Sequence, residues 1–92
     1  MREISLLAYV YGDVQAVGFR YYMRLKAREL GIRGWVKNRA DGSVESCICG
    51  EAIPMKAMQE WLHHGPAAAH VESVAFSPVV LTEALHDFSV RE

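Results

Sequence analysis

The residues best suited to chemistry lie in one short run, Tyr11–Gly12–Asp13–Val14–Gln15–Ala16–Val17–Gly18–Phe19–Arg20. Its two glycines let the segment curl, and the arginine that closes it carries a planar fork of donors matched to two oxygens of a phosphate. A helix that starts here exposes its first N–H groups and about half a positive charge, so a loop curled over that end is a cradle for an anion. Successive N–H groups around a glycine bend tighten such a nest. On the letters alone, a plain strand-to-helix turn with a surface arginine fits as well, because glycines also serve ordinary turns. Asn38 has an amide that both accepts and donates, yet its place before Arg39–Ala40–Asp41–Gly42 first suggests a turn initiator.

Metal and disulfide chemistry find little support. Cys47 and Cys49 are two apart, which on a strand puts them on one face about 7 Å from each other, beyond bridging distance. They read as reduced, half-buried thiols. His63 and His64 are adjacent and diverge by about 100° on a helix. His70 and His86 have no partner at ligand spacing, and neither His-x-x-x-His nor Cys-x-x-Cys occurs. No metal site and no cofactor are expected.

The flanking pattern says what must hold the run in place. Residues 4–11 mix alternation with a continuous apolar stretch, as a strand buried on much of both faces does. Phe19, Met23, Ala27 and Leu30 then recur at helical spacing, with Gly31 placed as the C-terminal cap. Ile32–Asn38 reads as a second strand, Asp41–Gly42 as a hairpin turn and Val44–Cys49 as a third strand. Pro54 suits a helix start, Met55, Met58 and Leu62 give that helix its apolar stripe beside Trp61, and Gly65–Pro66 stops it. His70–Phe76 and Asp87–Arg91 complete the strands, the last one short. Two right-handed crossovers in the order β-α-β-β-α-β predict an α+β fold, the ferredoxin-like sandwich. It has an antiparallel sheet, two helices on one face and a short extra C-terminal strand. The strand ending at Asn38 is expected to be central and close to the Arg20 loop. Tyr9, Trp35, Trp61 and Phe76 are assigned to core or sheet-face packing.

At 92 residues the chain is short for one domain, and a single domain over 1–92 with one core is expected. Half the residues are hydrophobic and the net charge is −1, so any anion site must be local rather than a global field. No apolar run approaches the ~18 residues of a membrane helix. The opening Met1–Arg2–Glu3 has neither a basic leader nor a cleavage site, so no signal peptide is read and the cytoplasm is the expected location. No long apolar edge demands a partner, and a monomer is expected.

The run Gly12-x-Val14–Gln15-x-Val17–Gly18–Phe19–Arg20 resembles the phosphate-loop signature of the acylphosphatase family. Gly34–Trp35–Val36–Lys37–Asn38, with Gly42, Val44 and Gly50, resembles that family's other signature, and the ending Phe88–Ser89–Val90–Arg91 fits too. The resemblance spans essentially the whole chain. It implies hydrolysis of the carboxyl–phosphate bond of acyl phosphates, without a metal, to a carboxylate and inorganic phosphate. It assigns Arg20 to the phosphoryl group, Asn38 to the attacking water, and the backbone N–H groups of Gln15, Ala16, Val17, Gly18 and Phe19 to the cradle. Inorganic phosphate or sulfate should then compete with substrate. The chemistry is coherent, because a departing carboxylate needs little protonation and the protein has only to place water and stabilise phosphoryl charge. One departure stands out: the family usually has glycine where this chain has Ala16. If the loop holds position 16 at negative φ, alanine fits. If the torsion is left-handed, its Cβ costs about 1–2 kcal/mol and crowds the cradle.

Two other classes compete. A catalytically weak relative would use the same cradle for phosphate binding or for carbamoyl-group handling in a larger assembly. A ferredoxin-like RNA-binding module would stack bases on aromatic residues of its central strands. The third strand carries no aromatic residue and the chain lacks a basic stripe, which disfavours nucleic acid.

Overall fold

In the computed structural model, which describes residues 3–92, the elements run β1 (Glu3–Asp13), α1 (Phe19–Leu30), β2 (Arg33–Asn38), β3 (Val44–Glu51), α2 (Ala52–Leu62), β4 (His70–Pro78) and β5 (Phe88–Arg91). Strand parity sorts the side chains. Ala8 and Val10 of β1, Val36 of β2, Val44 and Ile48 of β3 and Phe88 of β5 face the helices and are fully buried. Against them α1 sets Phe19, Met23 and Ala27, and α2 sets Met55, Met58 and Leu62. Those are the positions that the helical spacing predicts. Leu30, Trp61 and Phe76 pack partly buried against this core. Gly31 caps α1 as expected, its N–H donating to the Arg28 carbonyl. α2 begins two residues before Pro54, which sits in the first turn where no N–H is needed.

The sheet order is β4-β1-β3-β2-β5. Two expectations need correction. β3, not β2, is the central strand, and β2 is interior because β5 covers its outer edge. The sheet is also mixed rather than antiparallel, since β5 runs parallel to β2 while the other pairings are antiparallel. The cause is topological. β4 ends where β2 begins, so a chain segment that crosses directly to the far edge must enter β5 in the direction of β2.

That crossing segment also builds a second, smaller core on the sheet face away from the helices. Cys47 and Cys49 lie there with Leu85, and Leu7, Trp35, Val79 and Leu81 pack around them. Both thiols are free and, at 3% and 2% exposure, more deeply covered than the half-buried state that their spacing suggests. Among the described residues no helix is long and apolar enough to cross a membrane.

Candidate active site

The ends of β1, β2 and β5 and the start of α1 converge at one end of the sheet. β1 reaches it through a bulge at Tyr11/Gly12, where the pairing register with β4 shifts. Gly12 has φ 130°, and a Cβ there would run into the main chain at His70 and Glu72. This close approach turns the chain off the sheet and into the loop of residues 14–18. The bend itself is made by Ala16 at φ 61° and Gly18 at φ 78°. Ala16 is the one non-glycine residue at positive φ among the described residues. At Gly18 the ring of Tyr22 lies across the α-carbon, so a Cβ would sit 3.2 Å from it.

This geometry leaves donors unspent. The first α1 N–H with a backbone acceptor outside the helix is that of Tyr22, which donates to the Gly18 carbonyl at 3.0 Å. No backbone acceptor among the described residues meets the N–H groups from Gln15 to Tyr21. Unpaired donors at a helix N-terminus, curled by two left-handed residues, form an anion nest.

Beside the nest is a cavity of about 360 Å³ lined by Val14, Ala16, Gly18, Phe19, Arg20, Tyr21, Arg24, Asn38 and Val90. Arg20 and Asn38, 18 residues apart in the chain, therefore face one space. Arg20 is aimed by β5, its Nη1 donating to the Arg91 carbonyl at 3.3 Å. Since Arg91 is paired in register with Lys37, this contact sits at the level of Asn38. Phe19 gives its ring to the core at 2% exposure and leaves only its main chain to the loop.

Two loop residues have side chains turned elsewhere. Gln15 does not line the cavity. Its Nε2 donates to the carbonyls of Arg39 and Ser43 at 2.7 and 2.9 Å, stapling the loop to the β2–β3 hairpin. The same hairpin is closed by Asp41, whose carboxylate accepts the Ser43 hydroxyl and the Ser43 N–H, the latter at 2.9 Å. The Ser43 hydroxyl bond first, then the N–H bond, hold the Asp41 carboxyl below its ordinary value. Val17 points into a different, larger cavity of about 560 Å³, between α1 and the segment after α2. That cavity is mostly apolar, and its charged lining residues, Lys26 and Glu29, pair with each other at 3.3 Å. It offers an anion nothing, so the smaller cavity is the candidate site.

Sequence reasoning did not single out Tyr21, Arg24 and Val90 as part of this site. Arg24 could have been found by its i+4 spacing from Arg20, which puts both on one helix face. Val90 could not, because it depends on the parallel pairing of β5 with β2. Among the described residues no group of three or more His, Cys, Asp or Glu is placed to hold a metal ion.

Comparison with known proteins gives a consistent result. A model of the acylphosphatase family matches residues 6–90. An acylphosphatase of Aeromonas salmonicida is 47% identical over 76 residues, covering 83% of this chain and 84% of that protein. One from Marinobacter nauticus is 46% identical over 79 residues, covering 86% of each. Among solved structures, an acylphosphatase from Coxiella burnetii superposes with a TM-score of 0.90 at 42% identity, over 97% of this chain and 93% of that one.

Proposed function

The chain belongs to the acylphosphatase family and is an enzyme of acyl phosphate hydrolysis, and from that premise we propose how its residues divide the work. The phosphoryl group enters the nest, where the N–H groups of Gln15 through Phe19 and the guanidinium of Arg20 bind its oxygens. The observation that carries this reading is the convergence of Arg20, Asn38 and the Ala16–Gly18 bend on one cavity. Preorganised donors aimed at developing charge are worth most in such a site, because they need no rearrangement during reaction.

Asn38 positions the attacking water, accepting a hydrogen bond from it through its carbonyl and donating its NH₂ to a phosphoryl oxygen. The bridging bond breaks with its electron pair on the carboxylate. That group is weakly basic and leaves without a strong proton donor, so a metal is not required for the chemistry. The active unit is a single domain over residues 1–92, acting as a monomer in the cytoplasm on a small-molecule acyl phosphate.

One assay tests the reading. Purified protein in a metal chelator should hydrolyse benzoyl phosphate at neutral pH, with inorganic phosphate or sulfate as competitive inhibitors. Activity that returns only with added Zn²⁺ or Mg²⁺ would overturn the metal-free mechanism. Tight phosphate binding with no turnover would instead mark a binding module that keeps the cradle alone.

A further inference from the structure

The described residues include nine lysines and arginines. Six are ion-paired with a carboxylate, from Lys26 with Glu29 to Arg91 with Glu83. Of the other three, Lys56 lies exposed on α2, and the remaining two, Arg20 and Arg24, both line the candidate site. Carboxylates are not in short supply, since the chain has 11 acidic residues against 10 basic ones. Arg24 is the more exceptional of the pair, because its Nε is buried and has no hydrogen-bond partner. Its neighbours at i−4 and i+4 are Arg20 and Arg28, and only Arg28 is neutralised, by Asp87 at 2.6 Å. Like charges at that spacing repel, the Asp87 carboxylate offsets this only from beyond ion-pair distance, and a buried unpaired donor is costly, so the protein carries Arg24 here at a loss to its own stability. A cost of this kind inside a cleft points to a ligand that relieves it.

The position says which part of the ligand. Arg24 stands one helical turn beyond Arg20, about 6 Å further from the nest along α1, and helical side chains lean back toward the N-terminus. It therefore faces what protrudes from the nest rather than what sits inside it. We propose that Arg24 is a further catalytic residue that receives the acyl carboxylate as it departs, an assignment that rests on the hydrolytic reading above. In that step the oxygen of water bonds to phosphorus and the bridging P–O bond breaks. Its electron pair leaves on the carboxylate, and both water protons end on the phosphate, giving RCOO⁻ and H₂PO₄⁻ from the acyl phosphate dianion. One unpaired guanidinium then serves each product anion, Arg20 the phosphate and Arg24 the carboxylate.

The test compares acetyl phosphate with chloroacetyl phosphate, small substrates whose parent acids are weaker and stronger. Arg24→Gln should lower kcat/KM for acetyl phosphate by about tenfold or more, the scale of one oriented donor. The loss should be at least about threefold smaller for chloroacetyl phosphate, whose leaving group needs less help. Inhibition by inorganic phosphate should stay within about threefold of wild type, because phosphate fills only the nest. Arg24→Lys should recover part of the rate, and the Tm of Arg24→Gln should equal or exceed wild type as the repulsion is relieved. Equal losses for both substrates with weakened phosphate inhibition would make Arg24 a phosphoryl ligand and overturn the assignment. No loss with either substrate would overturn it too. Should Arg24→Gln fail to fold, the same substrate comparison on Arg24→Lys decides. If wild type turns over neither substrate yet binds phosphate, the hydrolytic reading itself falls, which is a distinguishable result.

Discussion

On the proposed mechanism, the site divides between a residue that binds in every state and one that matters only during reaction. Arg20 would grip the phosphoryl group in substrate, transition state and product alike, so Arg20→Ala should raise the inhibition constant of phosphate and lower kcat. Arg20→Lys should recover little, because an ammonium cannot reproduce the guanidinium fork. Asn38→Ala should cost about 10²-fold in kcat and leave phosphate inhibition nearly unchanged, since water placement counts chiefly in the transition state. Steady-state kinetics with phosphate as inhibitor separate the two, and near-full activity in Asn38→Ala would remove its role. Ala16 is decided by its torsion. At φ 61° the residue occupies the left-handed region, where a Cβ costs about 1–2 kcal/mol. Ala16→Gly removes that strain and adds only about 0.4–1 kcal/mol of unfolded-state entropy. The variant should therefore melt at the same temperature or higher. With the methyl gone from the cavity wall, kcat/KM should rise by less than about tenfold. A slower, weaker-binding Ala16→Gly would show a loop adapted to alanine.

Among the elements, the loop is held less by its glycines than by what it is tied to. β5 supplies the carbonyl that orients Arg20, and the β2–β3 hairpin supplies the two carbonyls that hold Gln15. The Gln15 amide thus fixes the distance between the nest and the strand that carries Asn38. Gln15→Leu keeps the bulk and deletes both donors, removing two hydrogen bonds of about 0.5–1.5 kcal/mol each while the two carbonyls keep the Gly42 and Arg39 N–H groups as partners. Urea unfolding should register that loss. The same variant should weaken phosphate inhibition severalfold, although the Gln15 side chain never touches the cavity. Unchanged phosphate inhibition would reduce the staple to a purely structural one.

For the molecule as a whole, the two limbs of the pH–stability curve have named origins. Asp87 and Asp41 have depressed pKa values, the first held down by its bonds to Arg28 and the second by Ser43. A depressed carboxyl contributes stability above its unfolded value and loses it as pH falls through the folded one. The acid limb therefore lies below the ordinary value of 3.8 and should flatten in Asp87→Asn. Both groups are solvent-exposed, so the effect is small and screened by salt. On the alkaline side, burial among Leu85, Leu7 and Trp35 pushes the Cys47 thiol up from 9.0. A raised thiol is stabilising below its unfolded value and loses that contribution as pH rises through the folded one. Thermal melts from pH 3 to 10 should fall off at both ends, and Cys47→Ala should soften the alkaline decline.

Much of this was legible in the residues alone, and the boundary has a physical cause. Helical spacing from Phe19, the cap at Gly31, the stop at Gly65–Pro66, the Asp41–Gly42 turn and the apolar run of residues 4–11 are local signals. They fix each element and its buried face through torsions and periodicity. Gly12, Gly18 and Arg20 were readable as a possible cradle because a curled loop before a helix is also a local feature. What tertiary structure alone decided is everything that depends on which edges meet. The parallel pairing of β5 with β2 brought Val90 to the cavity and the Arg91 carbonyl to Arg20. The hairpin carbonyls gave the Gln15 side chain a task of its own, as a staple beside its main-chain N–H in the nest. In the sequence Arg24 is one of several charges spaced along α1. Its want of a partner became visible only with every carboxylate around it in place. Ala16 lies between the two, since its letter posed the question of a left-handed bend and only the folded loop supplied the torsion.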